Sequence, residues 1–314
     1  MNDALLVIDI QRMSSEDGPG LRTTAFLKGC PLACEWCHNP ESISFEPEVL
    51  FNYMRCIKCE SCVKVCPERA IAFDESDNVS INRSNCVVCI ECSEGCPTGA
   101  LELKGKEYSP QDLLKELAKD KAYFGDDGGV TLSGGEALMQ YASIELLRLL
   151  KEAGIQTAVD TCGLLKEGRL EEALEYTDVL LFDIKIADDA LAKLHTGAGT
   201  DIILENLKKA GQWAEKGGRL WIRTPIIPSA TDSPENISAI GSLLKEIPNI
   251  ERWELCAFNN LCANKYRSLN LKWAYEGVGL VTETHMEELL DTAKASEACR
   301  DTRATGATSK EEKQ

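Results

Sequence analysis

Eleven of the chain's 15 cysteines fall between Cys30 and Cys96, and their spacing constrains the fold more than any other feature. Cys56, Cys59, Cys62 and Cys66, followed by Pro67, recur as Cys86, Cys89, Cys92 and Cys96, followed by Pro97, each displaced by 30 positions. The register continues into Ala70-Ile71 and Ala100-Leu101. This is C-x2-C-x2-C-x3-C-P written twice, a run in which three close thiolates hold one four-iron four-sulfur cluster and the fourth cysteine reaches its neighbour. The pattern assigns Cys56, Cys59, Cys62 and Cys96 to one cluster, and Cys86, Cys89, Cys92 and Cys66 to the other. The competing reading is a pair of structural zinc sites, which favour two C-x2-C pairs parted by a longer loop.

Cys30, Cys34 and Cys37 form a third group, C-x3-C-x2-C, with no fourth cysteine at a ligand-like distance. Three thiolates can anchor a cubane and leave one iron open, and an open metal position is where a substrate binds. His38 offers the alternative of a Cys3His zinc site.

Composition sets the surroundings. Lys and Arg total 34 against 51 Asp and Glu, a net charge of −17 in 314 residues. That balance excludes a phosphate-backbone binder, which needs clustered cations, and disfavours docking on anionic lipid. No apolar leader behind a basic start and no long apolar run is present, so neither secretion nor a membrane span is expected. Close-spaced cysteines in such a chain point to the reducing cytoplasm and to metal or redox work.

Outside the repeat, short apolar runs alternate with helical patterns, as a parallel sheet of βα units requires. Strands are expected at 24–28, 129–133, 155–160, 178–184, 219–224 and 252–257. Helices are expected near 111–121, 137–153, 168–176, 202–215, 234–246 and 284–296, the first with Ser109 as N-cap and Pro110 at N1 and the second stopped by Gly154. Polar residues gather at the C-terminal strand ends: Ser133-Gly134-Gly135-Glu136, Asp160-Thr161, Asp183 with Lys185, and Arg223. That edge is where α/β sheets build ligand sites. Six strands are too few for a closed eight-fold barrel, so the expectation is a partial (β/α)6 barrel at 1–48 and 104–298. A bacterial-ferredoxin-like two-cluster domain is inserted at 49–103, and a polar, frayed tail follows at 299–314.

With these residues in view, the chain resembles the radical S-adenosylmethionine (SAM) enzymes, and among them the activating enzymes of glycyl radical enzymes. The Cys30, Cys34 and Cys37 group looks like the superfamily signature, and Trp36 with His38-Asn39-Pro40 fits around it. Asp17-Gly18-Pro19-Gly20-Leu21-Arg22 and Phe26-Leu27-Lys28-Gly29 resemble the subfamily's N-terminal signature. The likeness runs to about residue 297 and includes the double-cluster insert, which many members have and the pyruvate formate-lyase activating enzyme lacks.

The resemblance implies three 4Fe-4S clusters and SAM as cosubstrate, with the backbone of Ser133, Gly134, Gly135 and Glu136 holding the methionyl amino group. It implies a monovalent cation at Asp160, Thr161 and Asp183 with the Leu181 carbonyl, and carboxylate and ribose contacts from Lys185 and Arg223. Asp17, Gly18, Pro19, Gly20 and Arg22 correspond to the segment that grips the target glycyl loop. The sequence departs from the pattern at Ala137, where proline is usual, at Cys162 for asparagine, at Ser229 for glycine, and at Ala257-Phe258-Asn259 for Pro-Tyr-His. Asn259 then stands where a histidine contacts SAM, and it cannot become cationic.

The implied reaction is reductive cleavage of SAM at the Cys30 cluster, giving a 5′-deoxyadenosyl radical that abstracts hydrogen from a backbone glycine of a partner enzyme. The implied oxidoreductase is an oxygen-sensitive monomer from an anaerobic host, with flavodoxin or ferredoxin as donor and the insert clusters as relay or docking module. Two other readings share part of the sequence: a radical SAM enzyme acting on a small molecule, and a non-catalytic ferredoxin-like carrier. Cys162, Cys256, Cys262 and Cys299 read as buried or incidental thiols, with Cys256 at a strand end facing the site.

Overall fold

The computed structural model describes residues 4–75 and 78–310. A hairpin of β1 (Leu5–Ser14) and β2 (Arg22–Leu27) opens the chain. The insert follows, with β3 (Glu48–Phe51), α1 (Ser61–Val65), β4 (Ile71–Phe73), β5 (Val79–Ile81), α2 (Glu91–Glu94) and β6 (Leu101–Lys104). After β7 (Lys106–Tyr108), strands and helices alternate: α3 (Pro110–Leu117), β8 (Gly129–Gly134), α4 (Ala142–Glu152), β9 (Gln156–Thr161), α5 (Arg169–Leu174) and β10 (Val179–Asp183). The series ends with α6 (Asp189–Thr196), α7 (Asp201–Ala214), β11 (Arg219–Ile226), α8 (Pro234–Leu244), β12 (Ile250–Ala257), α9 (Ala263–Ser268), α10 (Glu283–Ala295) and β13 (Thr302–Thr305).

The main sheet runs β13-β12-β11-β10-β9-β8-β2-β1-β7. Every pairing from β2 to β13 is parallel, and β1 is antiparallel to both neighbours. The order runs from one edge to the other without closure, and one cavity is lined from β1 and β2 across to β12, so the sheet curls as an open partial barrel does. All six expected strands are present. The helices pack apolar stripes on the outer face, and α3, α8 and α10 start on Ser109, Ser233 and Thr282, each accepting a backbone N–H. Among the described residues no helix is long and apolar enough to cross a membrane.

The tail requires a correction. Thr302–Thr305 form a seventh parallel strand against Trp253 to Cys256, and the backbone of Ser309 bonds to Val281 and Glu283. An edge strand is held by main-chain hydrogen bonds with one side in water, so polar side chains do not forbid it. Residues 311–314 of that expected tail lie outside the described residues. The segment 49–103 builds two small antiparallel pairs, β3 with β6 and β4 with β5, around its own apolar core of Val49, Phe51, Ile71, Val79, Ile81 and Leu101.

Lys28 joins the two parts. It is 1% exposed, and its ammonium donates to the Glu41 carbonyl (2.7 Å), the Ser44 carbonyl (3.3 Å) and Glu48 Oε2 (2.9 Å), which uses all three of its protons. A Cβ at Gly105, whose φ is +95°, would lie 2.7 Å from Lys28 Cδ and 3.1 Å from Pro47 Cα. The lysine stem therefore threads the neck of the insert between its entering and leaving segments. Lys28→Met keeps the stem and strands Glu48 beside three unmade bonds. It is expected to cost about 3 kcal/mol or more, read as a Tm loss; an unchanged Tm would show that the pin carries no stability.

Candidate functional site

Side chains alternate between the two faces of a strand, so the inward positions of the parallel strands form layers. The uppermost layer, toward the C-terminal ends, holds Phe26, Ser133, Asp160, Asp183, Arg223 and Cys256, and all six line one cavity of about 470 Å³. Asp17, Cys30, Cys34, Trp36, Cys37, His38, Gly134, Gly135, Thr161, Lys185 and Asn259 line the same cavity. Its size suits a nucleoside-sized ligand.

The cysteine loop leaves β2 at Gly29 and is held from several sides. Gly29 N–H donates to the Ser42 carbonyl and Cys30 N–H to that of Ile43. Gly135 N–H bonds the Leu27 carbonyl and Glu136 N–H bonds that of Gly29, at 2.9 Å each. Cβ atoms at Gly134 or Gly135 would sit within 2.5 Å of Leu27 or Gly29 backbone, so the glycine pair lets the end of β8 lie against the loop's first turn. On the far side α6 ends at the loop: Ala33 N–H donates to the Thr196 carbonyl and Glu35 N–H to that of His195. Tyr266 donates its hydroxyl to the Cys37 carbonyl at 2.9 Å, and His38 Nε2 meets the Asn259 carbonyl at 2.8 Å. Trp36 is 5% exposed and packs in tilted contact with His195.

Electrostatics follow from burial. Desolvation pushes the free Cys34 thiol up to about 11 and that of Cys37 up to about 12. Cys30 moves the other way, chiefly through a hydrogen bond with the Cys162 thiol. Iron binding is what would deprotonate such thiols. Burial raises Asp160 to about 6, with Asp183 adding to the rise and Arg223 opposing it. Ser133 donates to Asp160 at 2.8 Å, Arg223 Nη1 lies 3.4 Å from the same oxygen, and Lys185 is paired with Asp183. Burial disfavours charge on Lys185 and Arg223, but the groups around them together more than offset it: Asp183, Cys34 and Cys162 for Lys185, and Asp160, Cys256 and Asp183 for Arg223. Among the described residues Arg223 Nε is buried without a partner, a donor left for a ligand to satisfy.

The side chains of Glu136 and Arg22 do not line the cavity. Glu136 is fully buried and turns from the cavity to accept from Thr161 Oγ1 and Cys162 N–H at 2.8 Å each. Arg22 is likewise unexposed: it donates to Thr131, Pro19, Val130 and Gln156, while Thr131 donates to the Asp17 carbonyl. Arg22 thus braces the 17–20 turn from beneath and cannot touch a partner's loop. Gly18 and Pro19 are buried in that turn, Gly20 is exposed, and Asp17 accepts the Ser14 and Thr24 hydroxyls at 2.6 and 2.7 Å. The sequence departures are tolerated locally. Ser229, where the family pattern has glycine, sits at a positive φ of 65° with its N–H on Asp232 Oδ1, and Cys162 is buried beside Cys30.

In the insert, Cys56, Cys59, Cys62 and Cys96 ring one cavity and Cys66, Cys86, Cys89 and Cys92 ring another, the same division the spacing assigns. Among the described residues no three His, Cys, Asp or Glu side chains converge as on a single ion. Thiols standing apart around a cavity fit a cubane, whose irons need room between the ligands, better than zinc.

Sequence reading missed α6, whose signals are Asp188 as N-cap and Gly197 just past its end. It also missed Gln11, Phe26, Leu32, Pro225 and Ile227 as cavity lining. Their apolar or neutral character marks no chemistry.

Residues 24–238 match the family model of the radical SAM superfamily. A trans-4-hydroxy-L-proline dehydratase activating enzyme of Clostridioides difficile is 40% identical over 296 residues, 93% of this chain and 96% of its own. An isethionate sulfite-lyase activating enzyme of Nitratidesulfovibrio vulgaris is 37% identical over 285 residues, 89% and 92% of the two chains. A (2S)-3-sulfopropanediol dehydratase activating enzyme of Klebsiella oxytoca is 37% identical over 281 residues, 87% and 88%. A three-thiol loop above a polar sheet edge, with likeness of this extent, identifies the chain as a member of the radical SAM superfamily, among the activating enzymes of glycyl radical enzymes.

Proposed function

We propose that this chain binds a site-differentiated 4Fe-4S cluster through Cys30, Cys34 and Cys37 and uses it with SAM to install a radical on a backbone glycine of a partner enzyme. The observation that carries this is one cavity shared by those three thiols, the Asp17 turn and the unpartnered Arg223 Nε. When bound, the cluster and SAM supply one-electron cleavage of the sulfonium C–S bond, yielding methionine and a 5′-deoxyadenosyl radical.

The chain's own residues orient and exclude water. Arg223 and Lys185 take the ribose and carboxylate of SAM, and the Ser133 to Gly135 backbone takes its amino group. Asp160, Asp183 and Thr161 would hold a monovalent cation, which would supply the countercharge that Lys185 and Arg223 give up to SAM. Glu136 and Arg22 act as positioning residues, the first through Thr161 and the Cys162 N–H, the second through the 17–20 turn. Trp36, Phe26 and Ile227 wall the space from solvent, while His38 and the Asn259 backbone tie the loop to β12. Asp17 and the exposed Gly20 meet the partner's glycyl loop. The insert's two sets of four cysteines would hold two further clusters, which would supply an electron path inward from flavodoxin or ferredoxin in the cytoplasm.

The test is anaerobic co-incubation of reconstituted protein, SAM and reductant with glycyl radical enzymes, starting with a trans-4-hydroxy-L-proline dehydratase. A glycine-centred EPR doublet that needs SAM is the expected result. SAM-derived modification of a small molecule, with no doublet on any partner, would overturn the reading.

A further inference from the structure

The two cysteine repeats are each other's control, because they share backbone and ligation and differ on the surface. Lys58 and Val88, equivalent positions, even share a left-handed φ of 56° and 54°. In the first copy Arg55, Lys58, Lys64 and Arg69 are all exposed. The equivalent residues 30 positions on are Asn85, Val88, Glu94 and Gly99, none of them basic. Segment 55–69 carries four basic and two acidic side chains, whereas 85–99 carries two acidic and no basic ones. Cluster ligation does not require the difference, since the second copy forms the same thiol cage without it.

The same stretch exposes a ligand thiol, Cys59, and the apolar Ile57, which is 63% accessible, and Lys64 pairs with Glu60 at 3.9 Å. Exposed apolar and basic side chains close together in the chain are what a transient docking patch is made of. In a chain of net charge −17 this patch is locally cationic, and at physiological salt only charges within about 8 Å are felt strongly. An anionic protein is repelled by most of this surface and drawn to this stretch.

We propose that the exposed stretch carrying Arg55, Ile57, Lys58, Cys59, Lys64 and Arg69 docks an acidic electron-carrier protein. One electron per encounter then passes from its reduced cofactor to the cluster of Cys56, Cys59, Cys62 and Cys96. The inference rests on the reading of the insert as an electron relay and adds to it the port of entry.

The experiment uses the reconstituted holoenzyme and reduced flavodoxin, an acidic flavoprotein, as the probe. The variant carries the second copy's residues, Arg55→Asn, Lys58→Val, Lys64→Glu and Arg69→Gly, a set that the repeat shows to be compatible with ligation. Stopped-flow oxidation of flavodoxin is expected to slow with added salt for the wild type. It is expected to be about tenfold slower or more for the variant at low salt, with dithionite-driven 5′-deoxyadenosine formation unchanged. A variant within twofold of wild type overturns the port, as does a wild-type rate indifferent to salt. A Cys62→Ala, Cys92→Ala protein that oxidises flavodoxin as fast as wild type would instead overturn the relay reading.

Discussion

Cys37→Ala is expected to reduce SAM cleavage, measured as 5′-deoxyadenosine formed with dithionite, by roughly a thousandfold or more, because two thiolates do not hold a cubane with one open iron. Iron content should fall by about four atoms per chain while the insert's share persists, since those thiols ring separate cavities. Cys162 is the nearest substitute, buried beside Cys30. Its backbone N–H is fixed on Glu136, which keeps it at the end of β9. Cleavage surviving at a tenth of the wild-type rate would mean that the Cys30 group is not the site.

Asp17→Ala separates a protein substrate from a small one. Asp17 Oδ2 gathers the Ser14 and Thr24 hydroxyls, and its carbonyl takes the Thr131 hydroxyl, so the turn is built around this residue. It lies in the same cavity as the cysteines, where Lys185 and Arg223 pair with Asp183 and Asp160 instead. Glycyl radical formation on the partner should fall about a hundredfold, the cost of misplacing a reacting atom by an ångström. Partner-independent 5′-deoxyadenosine formation should stay within about twofold of wild type, and Asp17→Asn, which keeps one acceptor oxygen, should recover part of the loss. Equal loss of both activities would assign Asp17 to SAM cleavage and remove the main support for a protein substrate.

Most of the scaffold is legible in the sequence because its signals are local. The 30-residue displacement of two cysteine runs suffices to divide eight thiols correctly between two cavities, since the fourth cysteine's crossing is part of the motif. The parallel strands declare themselves as apolar runs between capped helices, and their polar C-terminal residues meet at one cavity. A ferredoxin-like carrier has no use for this frame.

What stayed hidden is where a side chain points and what the backbone does. Arg22 is the last residue of a segment read as contacting the partner, yet its place on the inward face of β2 sends the guanidinium beneath the site, where burial lowers it to about 10. Glu136 follows the same logic: the glycine pair before it bends the chain so that its carboxylate points at the end of β9. The carbonyls of His195 and Thr196 that hold the cysteine loop have no residue signature at all, because any side chain can carry them. The same holds for β13, paired through its backbone and polar in sequence.

The central claim, hydrogen transfer from a backbone glycine to the adenosyl carbon, is tested most directly with a partner enzyme made from α-deuterated glycine. Deuterium appearing in 5′-deoxyadenosine, in step with the glycyl EPR signal and absent with Cys37→Ala, is the expected result. 5′-Deoxyadenosine without deuterium while the partner acquires its radical would contradict it.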